Sequence, residues 1–168
     1  HRVLGIEPTA VGGRARDRGI PTIQAYFRPE LAREVLDSYG PARLVTACNV
    51  FAHIEDPHAV LEGIRALLSD DGVFVSESHY LMPLLDTLQY DTVYHEHLRY
   101  YSLNSLAYFL GMHGLEVFHA HPIPTHGGSI RVFAASRGSR KPTPEVAAVL
   151  AAEPTGPALR DRLQRFAH

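Results

Sequence analysis

Apolar and polar positions along the chain alternate between a short strand-like rhythm and a helical one. Arg2 to Pro8 is a brief apolar run closed by Glu7-Pro8, which reads as a buried strand ending in an acidic residue. Thr9 is placed to cap a helix that runs to about Arg18 and stops at Gly19. Thr22 to Tyr26 follows as a strand. Pro29 suits the first turn of a helix whose Leu31, Val35 and Leu36 share a face, and Gly40-Pro41 ends it. Leu44 to Asn49 is almost continuously apolar, the pattern of a strand covered on both faces. Asp56-Pro57 opens a helix with Val60, Leu61, Ile64, Leu67 and Leu68 at helical spacing, and Asp71-Gly72 turns into a strand over Val73 to Ser76. Tyr80 to Tyr101 follows neither period. Ser102 then caps a helix ending near His113-Gly114, and strands at Glu116 to His119 and Ile130 to Ala135 are joined by Pro122 to Gly128. From Pro142 the pattern is alanine-rich and helical, interrupted by Pro154 and Gly156.

Strand and helix thus alternate four times before two strands close the unit. That order predicts an α/β three-layer sandwich with right-handed parallel crossovers. Ligands in such sheets bind beyond the carboxyl ends of the strands. This points to Glu7, Tyr26-Phe27, Asn49 to His53 and Glu77 to Tyr80.

Composition narrows the function classes. The 168 residues are 45% apolar and 20% charged, which fits one ordinary globular domain. A net charge of −2 argues against a nucleic-acid polymer as partner. No apolar run approaches the roughly 20 residues of a membrane span. Cys48 is the single cysteine, so no internal disulfide or multi-cysteine metal site can form, and a reducing, cytoplasmic setting is expected. The chain opens at His1 without methionine, which reads as a piece of something longer. Of the 11 histidines, nine lie between His53 and His126, a crowding that points to proton chemistry near neutral pH.

Particular residues then stand out. Glu7, between strand and helix, suits the ribose hydroxyls of an adenosine-containing cofactor, or else the dipole of the helix start. No G-x-G-x-x-G occurs, and Gly12-Gly13 falls inside an expected helix, so any glycine-rich cofactor loop is expected upstream of His1. Asn49 and His53 are placed to face the cleft after the third strand, although His53 is equally suited to bonding the backbone at a helix entry. Tyr94-His95-Glu96-His97 is the densest polar cluster. His97 is a candidate general base with Glu96 as its partner, and Tyr94 a candidate donor to developing oxyanion charge. His-x-His lacks the i, i+4 spacing of a helical zinc site, so no metal is assigned. Thr125-His126-Gly127-Gly128-Ser129 reads as a tight hairpin with His126 entering the site. His119 and His121 read as strand-end or surface residues, and His113 as a helix-terminal residue whose cationic form suits the dipole.

Four motifs in this order carry a family resemblance: V-L-G-I-E-P at Val3 to Pro8, C-N-V-F-A-H-I-E-D at Cys48 to Asp56, Y-H-E-H-L-R-Y-Y-S at Tyr94 to Ser102, and T-H-G-G-S-I-R-V at Thr125 to Val132. Over about Arg2 to Ser136 the chain resembles the S-adenosylmethionine-dependent sugar C-methyltransferases of antibiotic deoxysugar pathways. The resemblance implies a Rossmann-like class I methyltransferase core without its first strand and glycine-rich loop. Residues 1–136 are then a partial core, and 137–168 a linker and the helical start of a C-terminal region. Zinc would belong only to an N-terminal domain that this sequence lacks. The implied substrate is a nucleotide-linked 4-keto-6-deoxysugar, deprotonated next to its ketone and then methylated at carbon. His97 is the implied base, Tyr94 and Glu96 orient it or stabilise the enolate, and His53 approaches from the other loop. Glu7 holds the cofactor ribose, Phe27 and Asn49 line its pocket, and Tyr80 and His126 contact substrate. His79 stands where similar sequences often carry proline.

The resemblance also implies an arrangement of strands. The missing strand should lie between Arg2 to Glu7 and Leu44 to Asn49, leaving two facing edges unpaired and the isolated piece inactive or prone to associate. Alternatives are an O- or N-methyltransferase on the same core, a metal-binding module on the histidines, and a non-catalytic remnant.

Overall fold

The computed structural model describes residues 2–168. Two sheets form. In the smaller, β1 (Gly5–Ile6) pairs in parallel with β2 (Thr22–Ile23). In the larger, β3 (Ala42–Cys48), β4 (Leu68–His79), β5 (Leu115–Ile123) and β6 (Ser129–Ser136) are ordered β3-β4-β6-β5. β3 and β4 run parallel, while β6 runs antiparallel to both β4 and β5. The sheet is therefore mixed: the expected parallel crossovers account for the first half, and the closing strands form an antiparallel hairpin.

Helix α1 spans Gly12–Asp17, α2 Pro29–Tyr39, α3 Pro57–Leu67, α4 Leu81–Asp86, α5 Leu103–Met112, α6 Pro144–Ala152 and α7 Gly156–Phe166. Two starts follow directly from local chemistry. Asp56 Oδ1 accepts from the Ala59 amide at 3.1 Å, with Pro57 in the first turn. Ser102 and Ser105 form a reciprocal capping box at the head of α5. Asp56→Ala is expected to cost about 1 kcal/mol of stability, read from denaturant midpoints at unchanged slope. An unchanged midpoint would mean that Pro57 alone sets this helix start.

Leu103, Leu106 and Leu110 place one stripe of α5 against the sheet. There they join Phe51, Leu61, Ile64, Phe74, Leu115, Ile130 and Val132 in a single core. The tail returns to this core. The Thr143 amide donates to the Phe118 carbonyl, and buried Glu153, beyond the end of α6, accepts from the Asn104 amide at 2.9 Å. Arg162 of α7 pairs with Asp86 of α4, and Phe166 stacks on Tyr90 with centroids 4.4 Å apart.

Several expectations change. β1 and β2 are shorter than expected and only half-buried, because each pairs along one edge alone. α1 begins at Gly12 rather than after Thr9, whose hydroxyl instead closes a turn by accepting from the Val11 amide. β3 is not covered on both faces: Arg43, Leu44, Thr46 and Cys48 are exposed, with Leu44 at 57%. An apolar run reports strand character without saying how many layers cover it. β4 is much longer than Val73 to Ser76, since Asp71-Gly72 lies in an irregularity of the β3–β4 register, between the Ala42 and Leu44 pairings, rather than in a terminating turn.

Candidate active site

Two cavities meet at the carboxyl ends of the strands. A cleft of about 2490 Å³ lies between the two sheets and is lined by Glu7, Phe27, Asn49 and His53 among others. A pocket of about 800 Å³ is lined by Asn49, His53, His79, Gln89, Thr92, Tyr94, His97 and His126. Asn49 and His53 belong to both walls. Asn49 reaches this position in the left-handed conformation, at φ 54, while its amide still donates to the Glu77 carbonyl at 2.8 Å. Asparagine is one of few side chains that enter that region at small cost.

The loop after β3 is held to the segment before α5 by five hydrogen bonds. His53 Nδ1 lies 3.0 Å from the Glu96 carbonyl, the Leu98 amide donates to the Ala52 carbonyl at 2.9 Å, Arg99 donates to the Ile54 and Glu55 carbonyls, and the Tyr101 hydroxyl donates to that of Phe51. A carbonyl only accepts, so His53 Nδ1 carries a hydrogen and, in the neutral ring, Nε2 is the free lone pair.

His97 is set by the same logic. Its Nδ1 lies 2.8 Å from the Thr92 carbonyl and must donate, leaving Nε2 as the basic nitrogen of the neutral ring. Tyr94 Oη is 3.2 Å from that Nε2. Tyr94 and His97 meet because the segment turns, with the His97 amide donating to the Tyr94 carbonyl. His53 and His97 have ring centroids 4.9 Å apart. The arrangement can hold one proton acceptor and one hydroxyl donor side by side.

At the cleft, Glu7 Oε1 accepts from the Thr9 amide at 2.9 Å and from its hydroxyl at 2.6 Å. The Thr9 hydroxyl, and then its amide, lower the Glu7 pKa, so the carboxylate stands ionised at the cleft wall. Phe27 lines the same wall and is packed so closely on α3 that a Cβ on Gly63 would lie 3.0 Å from its ring. Behind the pocket, buried Glu77 receives Arg131 through both Nε, at 3.1 Å, and Nη2, at 2.7 Å.

The sequence matches the methyltransferase domain family over residues 2–120. The chain belongs to that family. It is 46% identical over 154 residues to the C-methyltransferase NovU of Streptomyces niveus, a match covering 90% of this chain and 37% of the relative. The chain thus spans little more than a third of that curated relative. A putative methyltransferase in complex with the Haloferax volcanii Trm112 activator superposes with a TM-score of 0.60 at 14% identity, covering 80% of this chain and 72% of that one. Magnesium protoporphyrin IX methyltransferase from Synechocystis PCC 6803, with bound SAH, gives 0.58 at 15% identity over 80% and 64%. The fold is accordingly the Rossmann-like α/β fold of methyltransferases, a mixed sheet flanked by helices.

In this methyltransferase domain, Tyr94, His97, His53 and His126 converge on the pocket, and Glu7, Phe27 and Asn49 on the cleft, with Asn49 and His53 shared. His53 combines both readings, bonded to backbone and facing the site. Two candidates stand elsewhere. Tyr80 is 6% exposed and packed in the core, where burial and then the Glu153 carboxylate push its hydroxyl pKa far up, so it does not line the pocket. The exposed Glu96 contributes its backbone carbonyl, to His53, while the partner of His97 is Thr92.

His119 and His121 lie within β5, linked to each other and to Thr143 rather than free at a strand end. His79, within the Glu77 to Tyr80 strand end to which the sequence points, lines the pocket, as do Gln89 and Thr92, which the sequence does not single out. The only local hint was a run of polar side chains in a stretch without period. Among the described residues, no three histidine, cysteine or acidic side chains converge in a way that would hold a metal ion. No helix among them is long and apolar enough to cross a membrane.

Burial lowers the pKa of His79, His113 and His121, with neighbouring imidazoles adding to it. His113, beside His58, therefore favours its neutral form instead of the cation that a helix C-terminus would suit. The unfolded chain binds these protons more readily than the folded one. Stability is then full above the ordinary imidazole range and is lost as pH falls through it. Denaturant midpoints at about pH 7.5 and about pH 5.5 should show that loss, and His113→Gln should reduce it. Equal slopes in both proteins would remove His113 from this account.

Proposed function

We propose that this domain transfers a methyl group from S-adenosylmethionine to the carbon next to the ketone of a nucleotide-linked 4-keto-6-deoxysugar. The observation that carries this reading is the shared wall: Asn49 and His53 line both the cleft and the histidine pocket, so a donor in one abuts an acceptor in the other. The NovU match supports carbon as the methylated atom. S-adenosylmethionine supplies an electrophilic methyl on a sulfonium, with Glu7 for its ribose hydroxyls and Phe27 and Asn49 beside it.

His97 Nε2 takes the proton from the acidified carbon. The Thr92 carbonyl stabilises the resulting imidazolium through Nδ1–H, and Tyr94 donates to the enolate oxygen. Residues 1–136 serve as a partial core and 137–168 as the beginning of a C-terminal region, working in a reducing, cytoplasmic setting.

Solvent deuterium exchange tests the reaction type. A keto-sugar incubated with the intact protein, without methyl donor, should take up deuterium at the carbon to be methylated. O- or N-methylation would leave that carbon unlabelled. Glu7→Ala is expected to weaken cofactor binding by on the order of tenfold or more, since a charged acceptor of hydroxyl hydrogens is lost. Calorimetry with S-adenosylhomocysteine reads it, and an unchanged Kd would reduce Glu7 to a turn-closing role with Thr9.

A further inference from the structure

The hairpin tip and the unpatterned stretch before Tyr94 meet on one side chain. Gln89 Nε2 donates to the Gly127 carbonyl at 2.8 Å and to Thr87 Oγ1 at 2.7 Å. The Gly127 carbonyl can only accept, so the amide NH₂ faces the hairpin and Oε1 faces His79. That Oε1 lies 2.9 Å from His79 Nε2, which therefore carries the ring hydrogen. In the neutral ring Nδ1 is then a bare lone pair. It is buried, with no hydrogen-bond partner among the described residues, on a side chain 9% exposed that lines the 800 Å³ pocket.

Buried acceptors are seldom left unpaired, and the exceptions are informative. Glycine makes the arrangement possible. A Cβ on Gly127 would stand 2.7 Å from Gln89 Oε1, and one on Gly128 would stand 2.6 Å from Pro83, both at positive φ. The T-H-G-G-S motif thus lets the hairpin close directly over Gln89.

We propose that His79 is a specificity-determining residue of this pocket: its Nδ1 accepts a hydrogen bond from a hydroxyl or amine of the bound sugar, and Gln89 positions the ring to do so. This rests on the keto-sugar reading above. His97 is unsuited to the part, because its Nδ1 is committed to Thr92 and its Nε2 faces Tyr94.

Nitrogen-15 NMR of histidine-labelled intact protein reads the tautomer without any ligand, and a protonated Nδ1 on His79 would overturn the proposal. The Nδ1 resonance should then shift when a nucleoside-diphosphate-linked 4-keto-6-deoxyhexose is added. His79→Leu should weaken the Kd for that sugar about tenfold, while His79→Asn, whose side-chain oxygen can stand where Nδ1 stood, stays within about threefold of wild type. A purely structural role would weaken both equally and sink the idea, as would an unchanged Kd in His79→Leu; the keto-sugar reading survives either result. A wild-type protein with the expected tautomer that binds no keto-sugar defeats that reading, and the proposal with it. Should His79→Leu fail to fold, the wild-type tautomer and ligand-induced shift decide alone.

Discussion

His97→Asn is expected to lower turnover of the intact protein by about 10² to 10⁴ and to leave the Kd for S-adenosylhomocysteine near wild type. The ring is fixed at one nitrogen by the Thr92 carbonyl, which leaves a single basic atom beside Tyr94. Asparagine can keep the bond to that carbonyl but has no nitrogen able to take a proton near neutral pH. The loss should therefore appear in kcat more than in KM. Tyr94→Phe should cost less, since it removes one donor and keeps the base. If His97→Asn stays near native while Tyr94→Phe is inactive, the phenol is the base. If both stay near native, the chemistry lies outside this pocket.

Arg131→Leu is expected to destabilise the fold by about 3 kcal/mol, at the low end of what orphaning a buried charge costs. The Glu77 side chain is 8% exposed, while that of Arg131 is 40% exposed and reaches it with two nitrogens. Removing the arginine leaves Thr125 Oγ1, at 3.3 Å, as the remaining side-chain donor to this carboxylate among the described residues. The asymmetry has its own test. Arg131→Leu combined with Glu77→Leu should recover part of the loss, because an apolar pair replaces an unpaired charge. A single-variant loss below about 0.5 kcal/mol would show that solvent reaches Glu77 after all.

How much of this could be read from the residues depended on the range of the interaction. The caps at Asp56 and Ser102 are decided within three residues, and both helices begin where expected. β3 is a strand as expected, but its exposed face depends on what packs over it, which no run of apolar residues specifies. At the site, His97 and Tyr94 were legible as chemistry, because an imidazole and a phenol three residues apart meet as soon as the backbone turns. Glu96 meets His53 through its backbone carbonyl, a contact set by the three-dimensional turn and not legible in the residue type. Thr92 and Gln89 are not legible in the sequence for a related reason: one acts through its backbone, the other through contacts up to 38 positions away.

The wall shared by Asn49 and His53 also bears on how such a site is blocked. On the proposed reading, a two-headed ligand with an adenosine portion in the cleft and a sugar portion in the pocket would span the wall that Asn49 and His53 share. Once either head is seated, the other is delivered at high effective concentration, so the joined molecule can exceed either half in affinity by roughly 10² to 10⁴ without any new contact. The linker governs the outcome: too short and one head is pulled from its seat, too long and the gain falls away as the tether loosens.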